Sequence, residues 1–156
     1  MFIASSMRQL TKNKYERMKQ ISLKGRTFPA DLNHAGTVFG GWAMAKMDKA
    51  ASIQVEEVIK SPAVTVSVSN ISFIKPIHNG DVFMIYTEVT RIGNKSMDIS
   101  VELIVRSRED LSEFKVTEGV FTFVAVDSTG KPTLIRDVLR ASVEPYIREL
   151  LSPQKG

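Results

Sequence analysis

Asp48, Asn33 and the pair Gly40-Gly41 are the residues whose types and spacing could do chemistry. A carboxylate can take a proton from water or attack a carbonyl carbon itself. An asparagine offers both a donor and an acceptor, so Asn33 can hold a water or a carbonyl oxygen. Two glycines at a helix start can present free backbone N–H groups, and the helix dipole favours negative charge there. Together they suit attack on a polarised carbonyl. Each also has an ordinary reading: a solvated helical Asp, a turn Asn, and glycines that let a helix approach a sheet closely. Asp48 stands out because helical steps lead back from it to Ala45, Met44 and Gly41, and forward to Ala51, Ser52 and Val55. Lys46, Lys49, Glu56 and Glu57 mostly fall elsewhere around the axis. Asp48 therefore reads as an acid on an apolar stripe, which costs solvation and marks a candidate site.

The elements that would hold these residues can be read from periodicity. Met18 to Pro29 reads as a first strand, residues 30–39 as a Gly-containing loop, and Gly40 to Lys60 as the one long helix, ended by Ser61-Pro62. Ala63 to Lys75 reads as a strand with Val64, Val66 and Val68 on one face, then Ile71 and Phe73 at the opposite parity. A period of two changes face only through an irregularity, so a bulge is expected near Ser69-Asn70. Asn79-Gly80 turns into a strand over Asp81 to Arg91. Gly93-Asn94 turns into one in which Met97, Ile99, Val101, Leu103 and Val105 share a face. Phe114 to Val126 is the last long β run, and a short helix is expected near Pro145. One helix followed by antiparallel strands is an α+β pattern, most economically a sheet wrapped around the helix.

The 156 residues suit one domain with its own core. Its 43% hydrophobic and 24% charged residues point to a soluble globular chain. With no cysteine, disulfide and thiolate chemistry are excluded. Two distant histidines give no credible metal site. The opening Met1-Phe2-Ile3-Ala4 is too short an apolar run for a signal peptide, and no stretch has membrane length. A cytoplasmic, membrane-free protein is expected. The net charge of +4 is thinly spread, which suits anionic small molecules and argues against nucleic acid.

The chain resembles the hot-dog fold acyl-CoA thioesterases, in particular the small single-domain bacterial acyl-CoA thioester hydrolases. The resemblance rests on Phe28-Pro29-Ala30-Asp31-Leu32-Asn33, Gly36-Thr37-Val38-Phe39-Gly40-Gly41-Trp42, Met47-Asp48, Phe73-Ile74-Lys75-Pro76, Gly80-Asp81, and Val116 through Val126. It implies a hot-dog domain over residues 18–135, an N-terminal extension over 1–17 and a C-terminal tail with a short helix over 136–156. It also implies an acyl-CoA hydrolase with Asn33 and Asp48 as the catalytic pair, Gly40-Gly41 as oxyanion hole, and coenzyme A as part of the substrate rather than a cofactor. The turn Gly93-Asn94-Lys95-Ser96 stands where the family's coenzyme-associated turn lies, with Asn94-Lys95 where an Arg-Ser pair is often found. Lys75, Arg91, Lys95 and Arg106 are the cations expected to attract the coenzyme phosphates. Two other readings are open: a hot-dog dehydratase using His34 with Asp48, and a non-catalytic CoA-binding module. His78, in the Pro76–Gly80 turn, reads as solvated.

Helix geometry adds an expectation about assembly. Gly41 and Asp48 lie seven residues apart, about 10 Å along one helix. A general base and an oxyanion donor must each come within about 3 Å of their target atoms. One helix cannot easily serve the same thioester with both. Two antiparallel helices across a two-fold axis can, so a homodimer with shared sites is expected: Asp48 from one protomer, with Gly40-Gly41 and Asn33 from the other. The resemblance implies further association into tetramers or hexamers.

Overall fold

The computed structural model describes residues 19–151; the expected extension over residues 1–17 lies outside them. The chain runs β1 (Gln20–Arg26), a 3-10 turn (Pro29–Asp31), α1 (Gly40–Val58), β2 (Ala63–Phe73), β3 (Val82–Ile92), β4 (Ser96–Arg106), β5 (Glu113–Ala125), α2 (Ile135–Val138) and α3 (Pro145–Leu150). The five strands form one sheet in the order β1-β3-β4-β5-β2, with every pairing antiparallel. The fold is therefore the α+β hot-dog arrangement, with α1 packed on one face of the sheet.

The alternation in β4 is realised without exception: Met97, Ile99, Val101, Leu103 and Val105 are all buried. From α1 the buried residues are Ala43, Met47, Ala50, Ala51, Gln54, Val55 and Val58. Small side chains at Ala43, Ala50 and Ala51 bring the helix close to the sheet. The polar member, Gln54, accepts a hydrogen bond at 3.1 Å from the Thr87 hydroxyl of β3, so its burial leaves that oxygen partnered. Trp42 meets Phe83 edge to face, ring centroids 5.2 Å apart.

The helix ends at Val58, two residues before the expected Lys60, because the C-terminal segment grips it. Ile59 bridges to Leu139, and the Arg140 guanidinium donates to the carbonyls of Glu56 at 2.6 Å and Ile59 at 3.2 Å. A cation on the last-turn carbonyls satisfies otherwise free acceptors and complements the helix dipole. Ile135, Val143 and Ile147 carry this segment into the core.

β2 is one of the two edge strands, with β1 at the other edge, and it departs from the reading of Val64, Val66 and Val68 as one face. The expected bulge is present, with a register shift between Ser69 and Ser72 and Asn70 at φ +55°, a left-handed conformation that asparagine tolerates. A second shift lies between Thr65 and Ser67. Val64 pairs with Val124 on the outer face of the sheet, whereas Val68 pairs with buried Phe121 on the inner face. Val64, Val66 and Val68 are 48%, 55% and 37% exposed. No helix among the described residues is long and apolar enough to cross a membrane.

Candidate active site

Asp48 projects from the middle of α1, one helical step away from the buried stripe rather than on it. The residues expected to make its surroundings apolar divide: Ala51 and Val55 are buried, while Gly41, Ala45 and Ser52 are exposed. Alanine reads as apolar in sequence whether it is covered or not, so the stripe was drawn about 100° off. Asp48 is half-buried on the helix flank that faces edge strand β2. There Thr65 Oγ1 donates to Asp48 Oδ1 at 2.6 Å. The hydrogen bond orients the carboxylate and leaves Oδ2 available. Thr65 was missed from sequence. Its only signal was a hydroxyl residue breaking the valines of the strand after the helix.

Asn33 lies in the loop before α1, which is closed by a bridge between Leu32 and Val38 and by Gly36 at φ +83°. Its side-chain oxygen accepts the backbone N–H of Ala35 at 2.9 Å and of Thr37 at 3.2 Å, while Nδ2 donates to Thr37 Oγ1 at 3.2 Å. Asn33 thus builds its own turn. Its acceptor is spent on the loop, and what remains to offer is the second N–H of the carboxamide. His34 next to it is exposed and has no hydrogen-bond partner among the described residues.

Gly40 and Gly41 open α1 behind Phe39, which gives no side-chain cap, and the first intrahelical bond runs from Ala43 N to Phe39 O. Among the described residues, nothing accepts the N–H groups of Gly40 or Gly41. The two glycines differ. A Cβ on Gly40 would come within 3.2 Å of the Phe73 ring, so close packing explains it in part; a Cβ on Gly41 would meet nothing within 4 Å. Beside Gly40 lies a cavity of about 300 Å³, walled by Val38, Phe39, Ala43, Phe73, Ile77 and Thr117 and bordered by Lys75. Of the residues considered for an acyl slot, Phe39 lines this cavity, Met47 is fully buried, and Trp42 and Met44 are half-buried.

The cations assigned to the coenzyme do not converge in one protomer. Arg106 ends β4 and the Gly93–Ser96 turn begins it, so ten residues, about 33 Å of strand, separate them. Lys75 belongs with Arg106: its ammonium sits 5.0 Å over the Phe114 ring, and Phe114 pairs with Val105. That end of the sheet also holds the start of α1, through Gly40 and Phe73. The Gly93–Ser96 turn lies at the other end, where Asn94 and Lys95 carbonyls accept Ile135 and Ala125 N–H, near the last turn of α1. Arg91 is already engaged. Asp98 takes its guanidinium through two hydrogen bonds of 2.6 and 3.0 Å, which raises the Arg91 pKa and holds the Asp98 carboxyl below its usual range. Among the described residues no group of three His, Asp or Glu could hold a metal ion.

Several known proteins are similar to this chain. A model of the thioesterase superfamily matches residues 35–111. An uncharacterised acyl-CoA thioester hydrolase of Haemophilus influenzae is 40% identical over 116 residues, covering 72% of this chain and 75% of its own length. Among solved structures, a hexameric broad specificity acyl-coenzyme A thioesterase, in an Asp-to-Ala form, superposes with a TM-score of 0.75 at 34% identity over 85% of this chain and 94% of that one. An acyl-CoA hydrolase of Staphylococcus aureus, in an Asn-to-Ala form bound to coenzyme A, gives a TM-score of 0.69 at 31% identity over 75% and 70%. An Asp-to-Ala form of the same hydrolase also matches.

Proposed function

The chain belongs to the thioesterase superfamily, in its hot-dog fold, and from that premise we propose that it hydrolyses acyl-CoA to a free carboxylic acid and coenzyme A. The observation that carries the reading is Asp48, aimed by Thr65 on the helix flank beside the edge strand β2. The Staphylococcus aureus hydrolase was altered at an asparagine and at an aspartate fifteen positions apart. Asn33 and Asp48 stand at that same interval.

In this mechanism water attacks the thioester carbon while Asp48 Oδ2 takes its proton. Alternatively the carboxylate attacks first, and water opens the resulting anhydride. The carbonyl oxygen becomes an oxyanion facing the N–H groups of Gly40 and Gly41. Asn33 acts as a donor through Nδ2, toward the carbonyl or the water, because its acceptor is occupied. On the water route the C–S bond then breaks and the coenzyme thiolate takes the proton held by Asp48; on the anhydride route the thiolate leaves as the anhydride forms and takes its proton from the water that opens it. Coenzyme A enters as part of the substrate, and no separate cofactor is invoked.

The site is shared between two protomers. Strand β2 and the Asp48 flank of α1 lie on one side of the molecule, so a second copy docked there by a two-fold axis brings two antiparallel α1 helices together. The Gly40 end of one then meets the Asp48 of the other. The same operation brings the Gly93–Ser96 turn of one protomer toward Lys75 and Arg106 of its partner, uniting cations that a single chain holds apart. Because the similar thioesterase is hexameric, we assign dimers that associate into hexamers.

The test is thiol release from acetyl-, butyryl- and long-chain acyl-CoA by the native protein and by Asp48→Asn. Turnover that falls about 10²-fold or more in kcat in a folded Asp48→Asn variant is expected. Binding without turnover would instead favour a CoA-binding module. Hydration of an enoyl thioester would favour a dehydratase using His34.

A further inference from the structure

Thr117 stands in β5 on the face that looks at α1, paired with Leu103 on one side and Phe73 on the other. It is 1% exposed, and its hydroxyl oxygen has no hydrogen-bond partner among the described residues. It is the sole such buried side-chain atom there. A hydroxyl in this state has lost its hydration without gaining a partner, and valine would fill the same space at no such cost. The neighbouring inward positions take the apolar choice: Leu103, Val101 and Phe121 are fully covered and carry no polar atom.

Thr117 is also in the wall of the cavity beside Gly40, where every other wall residue except Lys75 is apolar or glycine. The hydroxyl and methyl of a threonine differ little in size, so another staggered rotamer would aim the oxygen at the cavity at small cost in packing. Gly40 abuts the Phe73 ring, and Phe73 pairs directly with Thr117. Gly40, at the start of α1, and Thr117 therefore line the same cavity.

We propose that Thr117 is a specificity-determining residue whose hydroxyl hydrogen-bonds an oxygen substituent near carbon 3 of the acyl group, so that the cavity beside Gly40 favours 3-hydroxyacyl thioesters over unsubstituted ones of the same length. This rests on the hydrolase reading above. The apolar walls accept the carbon chain, and the single neutral hydroxyl, a donor and an acceptor at once, recognises one oxygen. Thr117 is the one neutral polar residue of the lining, beside the single charged residue, Lys75.

The experiment compares 3-hydroxybutyryl-CoA with butyryl-CoA for the native protein, Thr117→Val and Thr117→Ser. The native protein is expected to favour the hydroxylated thioester in kcat/KM. Thr117→Val should lose about five- to tenfold of that ratio, and Thr117→Ser should keep it. A ratio unchanged in Thr117→Val overturns the proposal, as does an equal loss on both substrates. Calorimetric binding of both thioesters to the same three proteins separates this from the hydrolase reading. If no thioester is cleaved, the hydrolase reading falls, and the Thr117 effect on the binding ratio still decides the proposal.

Discussion

A mixture of two crippled proteins should recover activity if the site spans two chains. Asp48→Ala removes the base and Asn33→Ala removes the donor, and each homodimer then carries the same defect in both sites. In a mixed dimer one site combines both lesions, while the other joins a native Asp48 to a native Asn33. Random pairing of equal amounts makes half the dimers mixed, with one intact site in two, so about one quarter of all sites are native by two-fold symmetry. Against a residual of about 1% for Asp48→Ala, as expected for loss of a general base, recovery to about 25% is easily read. The reasoning rests on α1: Asp48 is eight residues from Gly40, about 12 Å along the axis, too far for one chain to bring both to a single carbonyl. Co-expression in equal amounts with two different affinity tags shows both chains in one preparation, and thiol release from butyryl-CoA by that unfractionated preparation measures the recovery. Recovery confined to the background of the two parents, in a preparation shown to contain both chains, would refute the shared site.

Other outcomes follow from single contacts. Thr65→Val removes the 2.6 Å hydrogen bond to Asp48, worth about 1.5–3 kcal/mol for a charged acceptor; kcat should fall about 10- to 100-fold and return with Thr65→Ser, and a loss under twofold would show that Thr65 does not aim the carboxylate. Gly41→Ala meets no neighbour within 4 Å and keeps the backbone N–H, so it should leave the Tm unchanged or raised, since alanine favours a helix by up to about 1 kcal/mol; a lowered Tm would contradict the open space at this position. Asp98 is held below its ordinary pKa chiefly by the Arg91 hydrogen bond, so the pair's contribution is complete above about pH 5 and is lost as pH falls through the lowered folded value. Asp98→Asn should therefore cost less than about 1 kcal/mol in urea unfolding at pH 7, and the difference should shrink at pH 3; an undiminished difference at pH 3 would contradict it.

Much of this architecture was legible because it is written in short-range patterns. The alternation from Met97 to Val105 fixed the inner face of β4, and Asn79-Gly80 marked a turn that the structure makes with Gly80 at φ +82°. The phase change near Asn70 located one bulge. The second bulge, at Val66, escaped because three alternating valines look regular whichever way the backbone turns them. Asp48 was legible as a candidate through its neighbours and the family pattern, yet its face was misjudged because small residues fit both a packed and an open flank. The surroundings of Thr65 and Thr117 depend on how strands pair, which joins residues far apart in sequence and leaves no local trace; the separation of Arg106 from the Gly93–Ser96 turn, by contrast, follows from the length of the one strand between them. The grip of Arg140 on the end of α1 is of the same kind, spanning 84 and 81 positions to its two acceptors.

The edge strand has a consequence for the life of the newly made chain. From Ala63 to Phe73 it carries no charged residue, and its flanking charges are Lys60 and Lys75. An unpaired, uncharged, valine-rich edge is a template for indiscriminate strand addition. Folding and pairing are then a race against aggregation, and the protomer is a state to be passed through quickly rather than stored. Dilution or slow refolding should produce irreversible loss in place of soluble monomer. Synthesis of several copies close together, as on one messenger, would favour the correct partner by local concentration alone.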